Sequence, residues 1–394
     1  LTAHRTSPNV TSETPGRLRP AIALFLGASS MFANMYATQA ILPEIEDGLH
    51  ISPAVAGLSI TVVVAAVAVG GWLHGPLSDR IGRARVMVAS AALLIVPTAL
   101  LAVVPNAASL LVLRGVQGLL MPGLLVVAVP YVAERFRGRT AGAAMGAYTA
   151  SLVFGGFVGR VGTAFLADAW GWRAALGALA VPTALGAVAM WRWLPRDRPQ
   201  SATRPLGGAI VDHLRNRRLL LNAFSASATF FGFVGVFTYG TYRLTGEPFH
   251  LSLAGAGLVY GVWLVGVLVP LAGVVAHRVG PDRMLPWLAA AALAGGLLTL
   301  VDSLAVVVAG MALMALSMFS TVTVCQLLIP RLVDHHRGSA TSLHLTVYYL
   351  GGAFGAYLPG LWLDDGWRAV VIACSLTIGV GLVSALALRA TLRV

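Results

Sequence analysis

Two arginines, Arg114 and Arg160, sit inside long apolar runs, and no other residues of this chain offer as much chemistry. A charge at membrane depth is costly and normally faces a bundle interior or a polar cavity. The sequence has 15 acidic residues, all of which fall in expected loops or tails, so no carboxylate in the apolar runs compensates the two cations. A cavity with that polarity suits an anion, a carboxylate-bearing metabolite or a neutral polar molecule better than an organic cation. Arg160 has two further options: it can donate to backbone carbonyls or to loop carboxylates such as Asp168 or Glu44 as an outer gate, or it can serve packing alone. Arg114 can snorkel towards the outer interface. Covalent catalysis has little to work with. The chain has no His-Glu-x-x-His, no Gly-x-Ser-x-Gly and no cysteine-histidine metal cluster, and no enzyme activity, metal or cofactor is expected. All 27 basic residues are arginine, so there is no P-loop lysine and no ATP-driven step within the chain.

The elements that must hold these arginines are membrane helices. Of the 394 residues, 57% are hydrophobic and 11% charged, with a mean hydropathy of +0.81, more apolar surface than a soluble core can bury. Runs of about 20 residues, long enough to cross the hydrocarbon, recur with short loops between them. They give twelve spans, at 20–42, 53–74, 85–104, 107–130, 141–166, 173–194, 219–242, 252–272, 284–301, 304–329, 339–362 and 368–390. The net charge of +12 is sorted by side. Apart from Arg114 and Arg160, only Arg173, Arg243 and Arg368 lie on the face opposite the arginine-rich loops. That is the positive-inside signature; it places both termini in the cytoplasm and argues against nucleic acid as partner. Cys325 and Cys374 lie in apolar runs and read as small core residues. The polar first 19 residues lead directly into a span, with no cleavable signal peptide evident.

The expected organisation is a cytoplasmic tail (1–19), a six-helix bundle (20–194), a cytoplasmic linker rich in Arg and Pro (195–218), a second six-helix bundle (219–390) and a short tail (391–394). Within the linker, Ile210 to Arg218 has the makings of a short basic surface helix. The bundles repeat. Gly75, Arg80, Gly82 and Arg85 recur as Gly273, Arg278, Gly280 and Arg283. Gly155-Gly156-x-x-Gly159, followed by Asp168 and Gly171-Trp172-Arg173, recurs as Gly351-Gly352-x-x-Gly355, followed by Asp364 and Gly366-Trp367-Arg368. A duplicated unit fits a transporter that rocks around a site between its halves.

Gly75-Pro76-Leu77-Ser78-Asp79-Arg80-Ile81-Gly82-Arg83 resembles the loop between helices 2 and 3 of major facilitator superfamily transporters, matching at Gly75, Leu77, Asp79, Arg80, Gly82 and Arg83. Gly75 and Gly82 would permit a tight path between the helices. The resemblance implies that Asp79 caps helix 11 near Gly338-Ser339, with an arginine of the helix 4–5 loop as second partner, in a latch that breaks when the cytoplasmic side opens. Alternatively the loop only sets topology. Arg114-Gly115-Val116-Gln117-Gly118 resembles the superfamily's Arg-x-x-Gln-Gly element. Gly146, Gly155 and Gly159 resemble the antiporter motif of drug:proton exchangers, in which small residues let helices approach closely. The chain departs from that motif at Arg160, where the family has Pro, and at Thr163 and Ala164, where it has paired glycines. With Ala37 to Pro43 and Gly240 to Leu244, these features are most similar to bacterial YnfM-type exporters of the arabinose-efflux-like branch.

The resemblance implies a monomeric, all-α, twelve-helix exporter in a bacterial cytoplasmic membrane, working by alternating access with protons as coupling ion and a small molecule as substrate. Residues on the family's cavity-lining helices are Asn34, Tyr36, Gln39, Gln117, Tyr148, Tyr239, Gln326, His344 and Tyr348. The groups that could carry a coupling proton are His344, His74 and Asp79. Exchange of two anions, or facilitated diffusion, needs none of them. A multidrug antiporter for lipophilic cations is the rival reading.

Overall fold

The computed structural model describes residues 18–196, 212–333 and 335–393. Residues 1–17 of the expected tail, 197–211 of the expected linker, and 394 lie outside the described residues. Apart from short turns and connecting loops, the described residues are helical. The spans are α1 (Arg19–Leu49), α2 (Pro53–Ile81), α3 (Arg83–Val103), α4 (Ala107–Arg135), α5 (Gly138–Trp170), α6 (Trp172–Trp193), α7 (Arg217–Thr245), α8 (Leu253–Val279), α9 (Pro281–Leu298), α10 (Leu304–Leu332), α11 (Arg337–Tyr357) and α12 (Trp367–Leu392). Ten of them are long and apolar enough to cross a bilayer on their own. The shorter α9 and the more polar α11 complete two bundles of six.

The starts and stops of these helices repeat as the sequence does. Ser52 and Ser252 cap α2 and α8, each side chain accepting from the backbone N–H three residues on. Gly82 and Gly280 end the α2–α3 and α8–α9 turns at φ +101° and +98°, a backbone region open chiefly to glycine. Gly75 differs from expectation. It lies within α2, which runs on through Pro76 to Ile81, so Gly82 alone makes the turn.

Packing repeats too. A Cβ on Gly155 or Gly159 of α5 would overlap the carbonyls of Ser29 and Ala33 on α1. One on Gly351 or Gly355 of α11 would overlap those of Ser227 and Phe231 on α7. The glycine motif thus docks one odd-numbered helix on another in each half, by close backbone approach. With Arg160 in place of proline, α5 is one unbroken helix.

The end carrying Trp170, Trp172, Trp362 and Trp367 is here termed outer, and the arginine-rich end inner. The halves meet across α2 with α11 and α5 with α8. Thr61 donates to the Ala353 carbonyl (2.9 Å) and Trp72 to Thr346 (2.9 Å). Glycines of α8 fit against Ala164, Phe157 and Val153 of α5, through Gly257, Gly261 and Gly266 in turn. Further in, the halves part. A Cβ on Gly142 or Gly146 of α5, Gly273 of α8, Gly75 of α2 or Gly338 of α11 meets no atom of the described residues within 4 Å. The interface is sealed at the outer end and open at the inner.

Candidate functional site

Arg114 and Arg160 are the two arginines fully buried among the described residues, and no Asp or Glu is buried with them. They are held in opposite ways. The Arg114 guanidinium donates from Nε to the Ser59 carbonyl (3.0 Å), from Nη1 to the Asn34 carbonyl (2.7 Å) and Gln117 Oε1 (2.8 Å), and from Nη2 to the Met35 carbonyl (2.9 Å). The Asn34 and Met35 carbonyls are available because α1 changes from α-helix to a 3₁₀ turn at Ala37–Ile41, and a cation at the end of the α-helical part also suits its dipole. Asn34 and Gln117 belong to the same network. Asn34 Oδ1 accepts from Thr98 (3.0 Å) and Gln117 (3.2 Å), and its Nδ2 donates to Thr183 (2.9 Å). This network knits α1, α2, α3, α4 and α6 inside one half.

Arg160 spans the halves. Its Nε donates to Gln39 Oε1 (2.8 Å) and Nη1 to the Gly156 carbonyl (2.9 Å), one turn back on α5. The guanidinium lies against two rings that also touch each other, 4.3 Å from the centroid of Tyr36 and 3.9 Å from that of Trp263, the two centroids being 5.4 Å apart. Trp263 comes from α8, in the other half. Gln39 also reaches across, donating to Thr238 (3.0 Å), while its carbonyl accepts from Thr241 (3.0 Å) on α7. Phe233 and Phe319 pack on the Trp263 indole at 5.7 and 4.8 Å. The layer of Tyr36, Gln39, Arg160 and Trp263 is therefore one of the buried contacts that join the halves. A cation–π contact without water is worth about 2 kcal/mol.

Of the other expected site residues, Tyr348 joins the Trp263 cluster through Phe230 and Phe233, and the rest lie elsewhere. Tyr148 donates to the Leu125 carbonyl (3.0 Å), Tyr239 to that of Ala356 (2.6 Å), and Tyr348 to Met318 Sδ (3.3 Å) while stacking on Phe230 at 4.1 Å. Gln326 is exposed on the inner third of α10. His344 is fully buried on α11, with no hydrogen-bond partner for either ring nitrogen. His74 bonds the Gly70 carbonyl of its own helix (2.9 Å).

At the inner end Asp79 pairs with Arg83 (3.3 Å), which also pairs with Glu134 (2.8 Å), linking α2, α3 and α4 within one half. The start of α11, where the resemblance placed a partner for Asp79, is instead approached by His213. Its Nε2 lies 3.0 Å from Ser339 Oγ and 3.2 Å from the His336 carbonyl. Arg80 is exposed near the inner end of α2. Carboxylates gather at the outer mouth, where Glu46, Glu247 and Asp364 line a hollow of about 400 Å³ with Tyr242 and Arg243.

Sequence reasoning missed Trp263, Thr238, Thr241 and Gly156. The available signal was that Trp263 lies deep in an apolar run, whereas Trp170, Trp172, Trp362 and Trp367 mark helix ends.

Two six-helix halves, sealed at one end around a buried cation and open at the other, define a secondary transporter rather than an enzyme. The chain belongs to the Major Facilitator Superfamily, whose pattern it matches over residues 24–265 and 244–393. It is 31% identical to the inner membrane transport protein YnfM of Escherichia coli (strain K12) over 91% of this chain and 87% of that protein. It is 29% identical to the MFS-type transporter YybF of Bacillus subtilis (strain 168), over 91% and 90%. Its fold superposes on a bacterial homologue of the human lysosomal transporter Spinster in an inward-facing, occupied conformation (TM-score 0.75, 14% identity, 96% of both chains). A peptide transporter, POT, in complex with sulfate gives a TM-score of 0.77 at 16% identity over 94% of both chains.

Proposed function

We propose that this transporter exports small organic molecules across a bacterial cytoplasmic membrane by alternating access, in exchange for protons, and that it favours anionic or neutral polar substrates. The observation behind the substrate class is that the described membrane interior holds two buried arginines and no buried carboxylate, with Arg160 on the boundary between the halves. A cation entering such an interior meets repulsion with no counter-charge. Rocking of residues 20–194 against 219–390 would open the Arg160 layer and close the inner ends. The excess of arginine in the inner loops supports cytoplasmic termini. The similarity to YnfM, named an inner membrane transport protein, supports the location. For coupling, His344 is the strongest candidate, since an unpaired buried imidazole can take up a proton without first breaking a bond.

The test is uptake into everted vesicles, acidified inside, of matched organic acids, neutral polar compounds and lipophilic cations. Uptake of acids or neutral compounds that collapses with the proton gradient is expected. Uptake of lipophilic cations alone would overturn the substrate class, and uptake indifferent to the gradient would overturn the coupling.

A further inference from the structure

Arg114 and Arg160 are equally buried, yet only Arg114 has acceptors for Nε, Nη1 and Nη2 alike. Arg160 Nη2 has none. Trp263, stacked on that guanidinium, is fully buried too, and its Nε1–H likewise has no acceptor. Both groups converge on Gly156. Its carbonyl accepts from Arg160 Nη1, and the space its missing Cβ would fill is taken by the indole nitrogen of Trp263. A buried donor left unpaired loses its hydration with nothing in exchange, so two at one spot mark a place where an acceptor belongs.

We propose that Arg160 Nη2 and Trp263 Nε1 form a split oxyanion site that receives the carboxylate of the transported organic acid, one donor from each half. The inference rests on the substrate class proposed above and assigns the atoms that read it. A carboxylate has two acceptor oxygens and no proton to place, which matches two N–H donors, one of them charged. An ammonium group has nothing to offer them. Gln39 and the Gly156 carbonyl hold the remaining edge of the guanidinium and fix its plane against the Tyr36 and Trp263 rings.

Access follows from the backbone under Trp263. From Tyr260 to Leu268, α8 is wound as a 3₁₀ helix of nine residues, far longer than the three or four usual for that form. Such a stretch inside an otherwise α-helical span is where a helix yields, and here it carries the indole that covers Arg160. An acid arriving through the open inner end meets Tyr36 and Trp263 first. Movement of the 3₁₀ stretch then brings both N–H groups to it. Because one donor lies on each half, a bound carboxylate ties the halves together at the outer seal.

The test uses purified full-length protein with benzoate as probe, benzylamine as the cation of matched shape and inorganic sulfate as the plain anion. Wild type, Trp263→Phe and Arg160→Gln are compared by thermal stabilisation and intrinsic tryptophan fluorescence. In wild type, benzoate is expected to bind saturably and to change the indole emission. Trp263→Phe keeps a stacking ring and removes the N–H; it should weaken benzoate about 5–10-fold and abolish most of the emission change. Arg160→Gln should weaken benzoate at least 100-fold. If Arg160→Gln fails to fold, the Trp263→Phe comparison decides alone. Equal benzoate affinity in wild type and Trp263→Phe overturns the split site. Binding of sulfate equal to that of benzoate in all folded variants means an adventitious anion site and also overturns it. Binding of benzylamine but not benzoate overturns both this site and the proposed substrate class. Anion transport that survives with benzoate binding unchanged by the substitutions overturns the site alone.

Discussion

The Arg160 guanidinium, carried by α5, lies 3.9 Å from the ring centroid of Trp263, carried by α8. This buried contact joins the two halves, and under the proposed alternating access it has to part when the outer side opens. Removal of the indole should shift the population towards outer-open forms. A desolvated cation–π contact of about 2 kcal/mol corresponds to about thirty-fold. Spin labels on Asp47→Cys and Asp365→Cys, both exposed at the outer end and on opposite halves, would report it. Longer distances in Trp263→Ala than in wild type are expected, and identical distributions would remove the stack from the gate.

The glycine motif separates into two jobs. Gly155 and Gly159 touch the backbone of α1, whereas a Cβ on Gly146 meets no described atom within 4 Å. Gly155→Ala should cost about 1–3 kcal/mol through overpacking, read as a lower melting temperature. Gly146→Val should leave the melting temperature nearly unchanged, yet slow transport if the inner ends of α5 and α8 meet in the other state. Equal melting temperatures for the two variants would contradict this division.

Arg114 holds three backbone carbonyls and Gln117 at once. Arg114→Ala leaves those acceptors buried and unpaired, a loss of about 3–5 kcal/mol by analogy with broken buried charge networks. Arg114→Lys should restore only part of it, because an ammonium cannot reproduce the planar fork. Thermal unfolding in detergent would check the order wild type, Lys, Ala. Full recovery by lysine would show that charge, not geometry, matters there.

Asp79 pairs with Arg83 while the inner end is open. If the same carboxylate caps α11 when that end closes, Asp79→Asn should favour inner-open forms. Cysteine reporters on the inner side would then become more reactive towards a water-soluble maleimide, and unchanged reactivity would assign the loop to topology alone.

Much of the fold was legible because its signals are strong and local. Apolar runs set the spans, and the repeated glycines at 155, 159, 351 and 355 announced equivalent helix contacts. Gly75 misled because glycine reads as a turn residue, whereas α2 continues through it and Pro76 to Ile81. Of the site, Tyr36, Gln39 and Arg160 were legible, since polar groups deep in apolar runs are few. Their cross-half partners Trp263, Thr238 and Thr241 were not. Aromatic and threonine residues are ordinary in membrane helices, and no sequence spacing links α5 to α8. Asn34 and Gln117 looked like cavity residues but serve Arg114, a role that only the break in α1 after Tyr36 reveals.

In the proposed function the membrane interior selects by charge through Arg160. The most direct test of that selection is gradient-driven uptake of matched organic acids and lipophilic cations into everted vesicles, by wild type and Arg160→Ala at equal folded amounts. Expected are acid uptake by wild type, a loss of at least 100-fold in Arg160→Ala, and much weaker uptake of lipophilic cations than of acids by wild type. Equal acid uptake by both proteins, or uptake of lipophilic cations but not of acids by wild type, would overturn it.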